Sequence, residues 1–293
     1  MTSSNRTIAG EFNPVNFIAI GSNGYIVTPT KIQQLGTTEA WKSIAYGNGK
    51  YVIGSTFGNI STSTDGENWT TPKKIDSNPW QWIMYENGIF VAVGSSYIST
   101  SRDGIIWTEL IPISSIISGG VQGAGHGGGF FAISNNNGYT ATSTDGVTWT
   151  RKGKGATSSY AIGCSENRFI SVTNGGYLYV SEDAGQNWKL GSTGNISPHK
   201  ITYGKGVFVG GYHGKIGYAF DTEYLNSFYE TTVGTSEDEW ISTDFGKETF
   251  ISISKAGKYV ISSDGENWTD PVELKDSENN VIKAVFYDVC IIQ

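Results

Sequence analysis

Enzymatic chemistry needs particular groups, and this chain supplies few of them. Its three histidines, His126, His199 and His213, and its two cysteines, Cys164 and Cys290, stand at no metal-ligand spacing. There is no CxxC, HExxH or GxSxG, and no P-loop. Neither a metal nor a cofactor is expected. The four arginines, Arg6, Arg102, Arg151 and Arg168, are scattered, so no guanidinium cluster gripping an anionic substrate is expected either. A glycosidase needs only two carboxylates roughly 5–10 Å apart, and no such pair stands out. The run Ser236-Glu237-Asp238-Glu239 reads as a solvated loop.

The supply of groups for binding is better. Aromatic faces stack on sugar rings, and nearby amides and hydroxyls bond their hydroxyl groups. Four tryptophans, Trp41, Trp80, Trp82 and Trp240, and Tyr160 fall where short segments begin; the loop 210–215 brings Tyr212 and His213 beside Lys215. These seven aromatic and imidazole residues are the candidate glycan contacts. Trp41, Trp80 and Trp240 align with one another, and an aligned position in a repeat also reads as packing between units. Trp82 breaks the alignment, its counterpart being Ser43, which makes it the better ligand candidate.

What must position these side chains is a repeat. The phrase Ser63-Thr64-Asp65-Gly66-Glu67-Asn68-Trp69 returns around Asp103 and Trp107, Asp145 and Trp149, Asp183 and Trp188, and Asp264 and Trp268. The aspartates lie 38, 42, 38 and then 81 residues apart, the last being two periods. A degenerate copy falls at Asp221. Within the phrase, Asp accepts N–H groups across a turn, Gly supplies positive φ and Trp fills the space between strands. These ten residues are therefore assigned to structure.

Apolar runs starting at Phe17, Tyr51, Phe90, Phe130, Phe169, Phe208 and Phe250 give seven units of about 40 residues. Each run is short and rich in β-branched and aromatic residues, as a buried strand is. In the unit from Trp41 four strands are expected, over 41–46, 50–54, 59–64 and 68–71. Asn48-Gly49 and Asp65-Gly66 make the turns. Four strands repeated at this period predict an all-β, seven-bladed β-propeller. It would form one domain over 1–293, with blades near 41–79, 80–116, 117–158, 159–199, 200–239 and 240–279. The closing blade would combine 280–293 with 12–40, placing its first strand at 282–287 and leaving 289–292 outside the scheme, either to pair with the N-terminal segment or to extend the blade. The turns joining strands one to two and three to four should share one face. Recognition is expected on the other, where the loops vary.

Composition narrows the partners. Net charge is −7, which argues against nucleic acid, because such binding needs a basic stripe. No apolar run approaches the roughly 20 residues of a membrane helix. The first residues carry no stretch of signal-peptide type, so synthesis in the cytoplasm is expected.

The repeated phrase resembles the Asp box of sialidase-like propellers. Those enzymes use an arginine triad that four scattered arginines do not match, so sialidase activity is not expected. The longer phrase Trp41 to Val52 followed by Ser63-Thr64-Asp65-Gly66 is similar to repeats in tail proteins of bacteriophages. The resemblance is strongest to receptor-binding proteins of phages infecting Gram-positive, including staphylococcal, hosts. It implies a virion protein of the tail baseplate, often a homotrimer, contacting other tail proteins and binding cell-wall glycopolymers such as teichoic acid without cleaving them. Against so anionic a polymer, sugar substituents should carry the binding, with Lys73, Lys74, Lys152 and Lys154 offsetting charge locally. A protein-binding scaffold resembling photosystem assembly factors and a glycoside hydrolase are the alternatives.

Overall fold

A computed structural model describes residues 15–36, 38–155, 159–193, 197–222, 225, 227–276 and 278–293, and of Lys154 the backbone alone. The chain folds into seven four-stranded antiparallel sheets, as the repeat predicts. Helix among the described residues amounts to two single 3-10 turns, Ser22–Gly24 and Ile113–Ser115. Residues 12–14 of the expected closing blade, and Arg6, lie outside the described residues.

The second strand of each blade carries the core. Phe17–Gly21 and Ile89–Gly94 are buried at every position. A blade packs against a neighbour on both faces, so its middle strand is apolar on both sides and shows no alternation. Each large side chain so buried contributes about 1.5–3 kcal/mol. Asn48 and Gly49 adopt φ 47° and 72°, the mirror-image turn that matches strand twist in a two-residue hairpin.

The first strands stand around the axis: Trp41–Gly47, Trp80–Glu86, Val121–Gly127, Ser159–Cys164, Thr202–Gly204, Trp240–Gly246 and Phe286–Ile291, each touching the next. In six of them the register slips at the second position. Trp41 pairs with Ser55 but Ser43 with Gly54, and the same slip recurs at Gln81, Gln122, Tyr160, Ile241 and Tyr287. Such a bulge re-aims one side chain. Here it presents the second residue of these six strands at one end of the axis.

Two expected boundaries move. The fourth strand of the first full blade is Lys73–Lys74 rather than 68–71. The turn absorbs the earlier residues: the Trp69 indole donates to the Gly66 carbonyl, and the Thr62 amide donates to the Thr70 hydroxyl. The closing strand is Phe286–Ile291 rather than 282–287, and pairs with Phe17–Gly21 from the other end of the chain. Ile282 instead plugs an apolar cluster with Leu274, and its amide bonds the Leu274 carbonyl. Residues 289–291 take the first of their two expected roles: they pair with the N-terminal segment, closing the ring and removing its open edge.

Candidate functional site

The repeated turns are built alike. The Asp65 Oδ1 accepts the Ser63 hydroxyl at 2.9 Å and the amides of Glu67 and Asn68 at 2.8 and 2.7 Å. The same bonds recur at Asp103, Asp145 and Asp264, and at Asp183, where the turn is one residue longer, the Asn187 amide takes the corresponding place. The N–H of Asn68, then its side-chain amide, hold the Asp65 carboxyl well below the usual range. Trp107, Trp149, Trp188 and Trp268 each donate to the turn glycine as Trp69 does. The strand one–two turn of one blade reaches the repeated turn of the next: Asn48 Nδ2 donates to Arg102 O at 3.2 Å. These turns therefore share a face.

The degenerate copy keeps its aspartate for another purpose. Arg168 Nη1 binds Asp221 Oδ1 at 2.7 Å. The Arg151 guanidinium lies over the Tyr139 ring at 3.8 Å, and Arg102 lines a cavity on the turn face. Among the described residues, no arginine lines the clefts at the axial mouth.

That mouth lies on the opposite face. The third position of six first strands reads Ser43, Trp82, Gly123, Ala161, Ser242 and Asp288, and Lys200, two residues before Thr202–Gly204, takes the equivalent place in the seventh blade. Trp82 alone is aromatic, and it stays half-buried. With Gln81 and His199 it walls two clefts. One, of about 260 Å³, also holds Lys42, Lys255, Glu239, Tyr287 and Asp288. The other, of about 440 Å³, is neutral, with Ser95, Gln122 and Tyr160. The Tyr160 ring lies 5.4 Å from that of His199. Below them an axial cavity of about 300 Å³ runs between the first strands past Cys164, Asp244 and Cys290. Burial pushes the Asp244 carboxyl and both thiols up.

Trp41, Trp80 and Trp240, candidates for stacking on a ligand, are fully buried and offer no face to one. Each indole N–H donates to a neighbouring loop carbonyl: Trp41 to Leu35 at 3.0 Å, Trp80 to Gly58 at 3.1 Å and Trp240 to Val233 at 2.9 Å. Their alignment marks packing between blades.

Tyr212 and His213 contact each other, ring centroids 4.6 Å apart, in a hairpin outside both clefts. Lys215 beside them is tied to Glu230. Trp82 and Tyr160 are thus the two candidates brought together.

The acidic run is solvated only in its first half: Ser236 and Glu237 are exposed, whereas Asp238 and Glu239 are engaged. Asp238 is 2% exposed and takes the Thr235 amide and the Lys258 ammonium at 2.9 and 2.7 Å. Glu239 binds Lys255 at 3.0 Å and His199 at 3.4 Å. Burial, then the Lys258 and Lys255 ammonium groups respectively, act on these two carboxyls, and the bonds win, holding both low. Lys73 and Lys74 are exposed on an outermost strand, at the far edge of the blade from the axis. The Lys154 side chain lies outside the described residues.

Lys200 and Asp288 carried no signal in the sequence. Asp288 Oδ1 receives Lys200 Nζ at 2.7 Å and the Ser242 hydroxyl, and Oδ2 receives the Ser43 hydroxyl and the Ile44 amide, each at 3.0 Å. The clue available was position: charged residues on a strand that must face the axis.

Residues 83–203 match the family described as the DUF6242 beta propeller domain. Among solved structures, YCF48 from Cyanidioschyzon merolae superposes with a TM-score of 0.61 at 13% identity, over 83% of this chain and 87% of that one. YCF48 bound to D1 peptide gives 0.61 at 15% identity, over 90% and 85%. The Pan2 WD40 domain of Neurospora crassa gives 0.62 at 10% identity, over 89% and 88%. At such identities the likeness is one of fold, and fold does not fix function. No curated protein matches the chain by sequence.

Proposed function

We propose that this propeller is a non-catalytic glycan-binding module that holds a cell-wall glycopolymer at its axial mouth. The observation that carries the reading is Trp82, the single aromatic in the ring of third positions, walling the neutral cleft with Gln81, Gln122 and Tyr160. A sugar ring stacks on the indole, and the two amides and the phenol meet its hydroxyls. Asp288 is poorly suited to acid–base work, because both of its oxygens are already bonded.

The resemblance of the repeats to phage tail proteins supports a setting for this binding. In it the chain is a receptor-binding protein of a tail baseplate, an oligomer with a trimer as first expectation, attaching a virion to a Gram-positive host through a teichoic-acid-type polymer. Several weak sites engaged together then give firm attachment. The Asp-box resemblance belongs to the same reading, with the turns as scaffold.

The test incubates purified protein with cell walls of Gram-positive bacteria. Saturable retention without released sugar, lost in Trp82→Ala and reduced in Tyr160→Ala, is expected. Released sugar would instead make the protein a hydrolase. Absence of retention, with capture of a protein partner, would make it a scaffold, the reading suggested by YCF48 bound to D1 peptide.

A further inference from the structure

The charged cleft beside Trp82 does not balance its own charges. Lys200 is matched by Asp288 at 2.7 Å. Glu239 is divided between Lys255 and His199. Lys42 remains. It takes part in none of the ion pairs found among the described residues, and its Nζ lies 3.3 Å from the centroid of the Tyr287 ring. Burial, and then the neighbouring Lys255 ammonium, push the Lys42 pKa down.

A half-buried ammonium held on an aromatic face and repelled by a second ammonium gains when an anion joins it. This is a local excess of positive charge in a protein of net charge −7. A bulge creates it: the slip in register at Lys42 and at Tyr287 turns both side chains into one cleft.

We propose that the glycan held at Trp82 is acidic, and that its carboxylate or phosphodiester oxygen seats against Lys42, with Lys255 and Tyr287 completing the seat. This rests on the glycan-binding reading and goes further by assigning the residues on which the ligand's anionic group sits. The neutral cleft takes the sugar, the charged one takes its anionic substituent, and Trp82 stands between them.

The experiment titrates the full chain with a neutral dextran oligosaccharide, an oligogalacturonate, a glycerol-phosphate oligomer and inorganic phosphate, following tryptophan fluorescence and calorimetry at low and high salt. At least one acidic oligomer is expected to bind about tenfold more tightly than the neutral one, the worth of one charge-assisted contact. That ratio should collapse towards one in Lys42→Gln and survive in Lys42→Arg, with thermal midpoints confirming that both variants fold. The two acidic oligomers tell carboxylate from phosphodiester. Equal binding of neutral and acidic oligomers would overturn the anion seat and leave glycan binding standing. Lys42-dependent binding of phosphate alone would support the seat and overturn the glycan reading. No binding of any probe would overturn both.

Discussion

Asp288, in the last strand, accepts the hydroxyl of Ser43 from 245 positions earlier in the chain, at 3.0 Å. The Ser43 oxygen in turn accepts the Ile83 amide at 3.0 Å. The other Asp288 oxygen takes Lys200 and Ser242. One carboxylate thus gathers bonds from four other blades directly or through a single hydroxyl. The circle closes by the pairing of the axial strand Phe286–Ile291 with Phe17–Gly21 and by this polar hub at the axis.

Asp288→Ala should therefore lower stability by about 3–5 kcal/mol, because it strands a half-buried ammonium and several buried donors. Ser43→Ala should cost about 1 kcal/mol. Urea midpoints measure both. An unchanged midpoint in Asp288→Ala would remove the hub from the account of closure.

The repeated turns predict acid sensitivity. Backbone N–H groups, joined by side-chain amides or hydroxyls, hold Asp65, Asp103 and Asp183 low, and such bonds outweigh burial at Asp145 and Asp264. A depressed carboxyl contributes stability that is complete above its unfolded pKa, near about 3.9, and is lost as pH falls through the folded value. The thermal midpoint should hold down to about pH 4.5 and fall below about pH 4. Asp65→Ala should make that fall shallower, and a slope identical to that of the parent chain would contradict the assignment.

Two glycines one residue apart from an asparagine separate steric from conformational demands. A Cβ on Gly47 would sit 2.1 Å from the Tyr85 ring of the next blade, whereas one on Gly49 meets nothing. Gly47→Ala should cost about 1–3 kcal/mol by overpacking. Gly49→Ala, strained only by its φ of 72°, should cost about 1 kcal/mol. Paired denaturation curves decide it, and a reversed order would refute the close approach of these blades.

Trp80→Phe and Trp240→Phe should each cost about 1 kcal/mol through loss of the indole hydrogen bond while leaving cell-wall retention intact. Trp82→Ala should do the opposite, abolishing retention in a chain that still melts cooperatively. Loss of retention in Trp240→Phe would reopen the aligned tryptophans as ligand contacts.

The blade count was legible in the chain because the blades share a local solution. A middle strand buried on both faces recurs in all seven, and a Ser-x-Asp turn in five of them, at a nearly fixed period. The role of Asp65 or Trp69 was equally legible, since those bonds span at most a few residues. The boundaries failed where local and distant demands compete. Ile282 through Tyr287 have the composition of a strand, but Ile282 is claimed by the cluster around Leu274, and pairing with Phe17 sets the register from the far end of the chain.

The sequence by itself determined a ring of seven four-stranded blades with scaffold turns on one face, because periodicity and turn chemistry are local. Alignment in the sequence set Trp82 apart from Trp41 and Trp80, and tertiary structure decided between the packing and ligand readings of the aligned pair. The bulge and the neighbouring blade's loops bury those two and leave Trp82 at the mouth. Tertiary structure also decided that Lys200 has a carboxylate while Lys42, among the described residues, pairs with none. Charge compensation depends on side chains 88 residues apart in the chain, as in the Lys200–Asp288 pair, and no spacing in the sequence records such a distance.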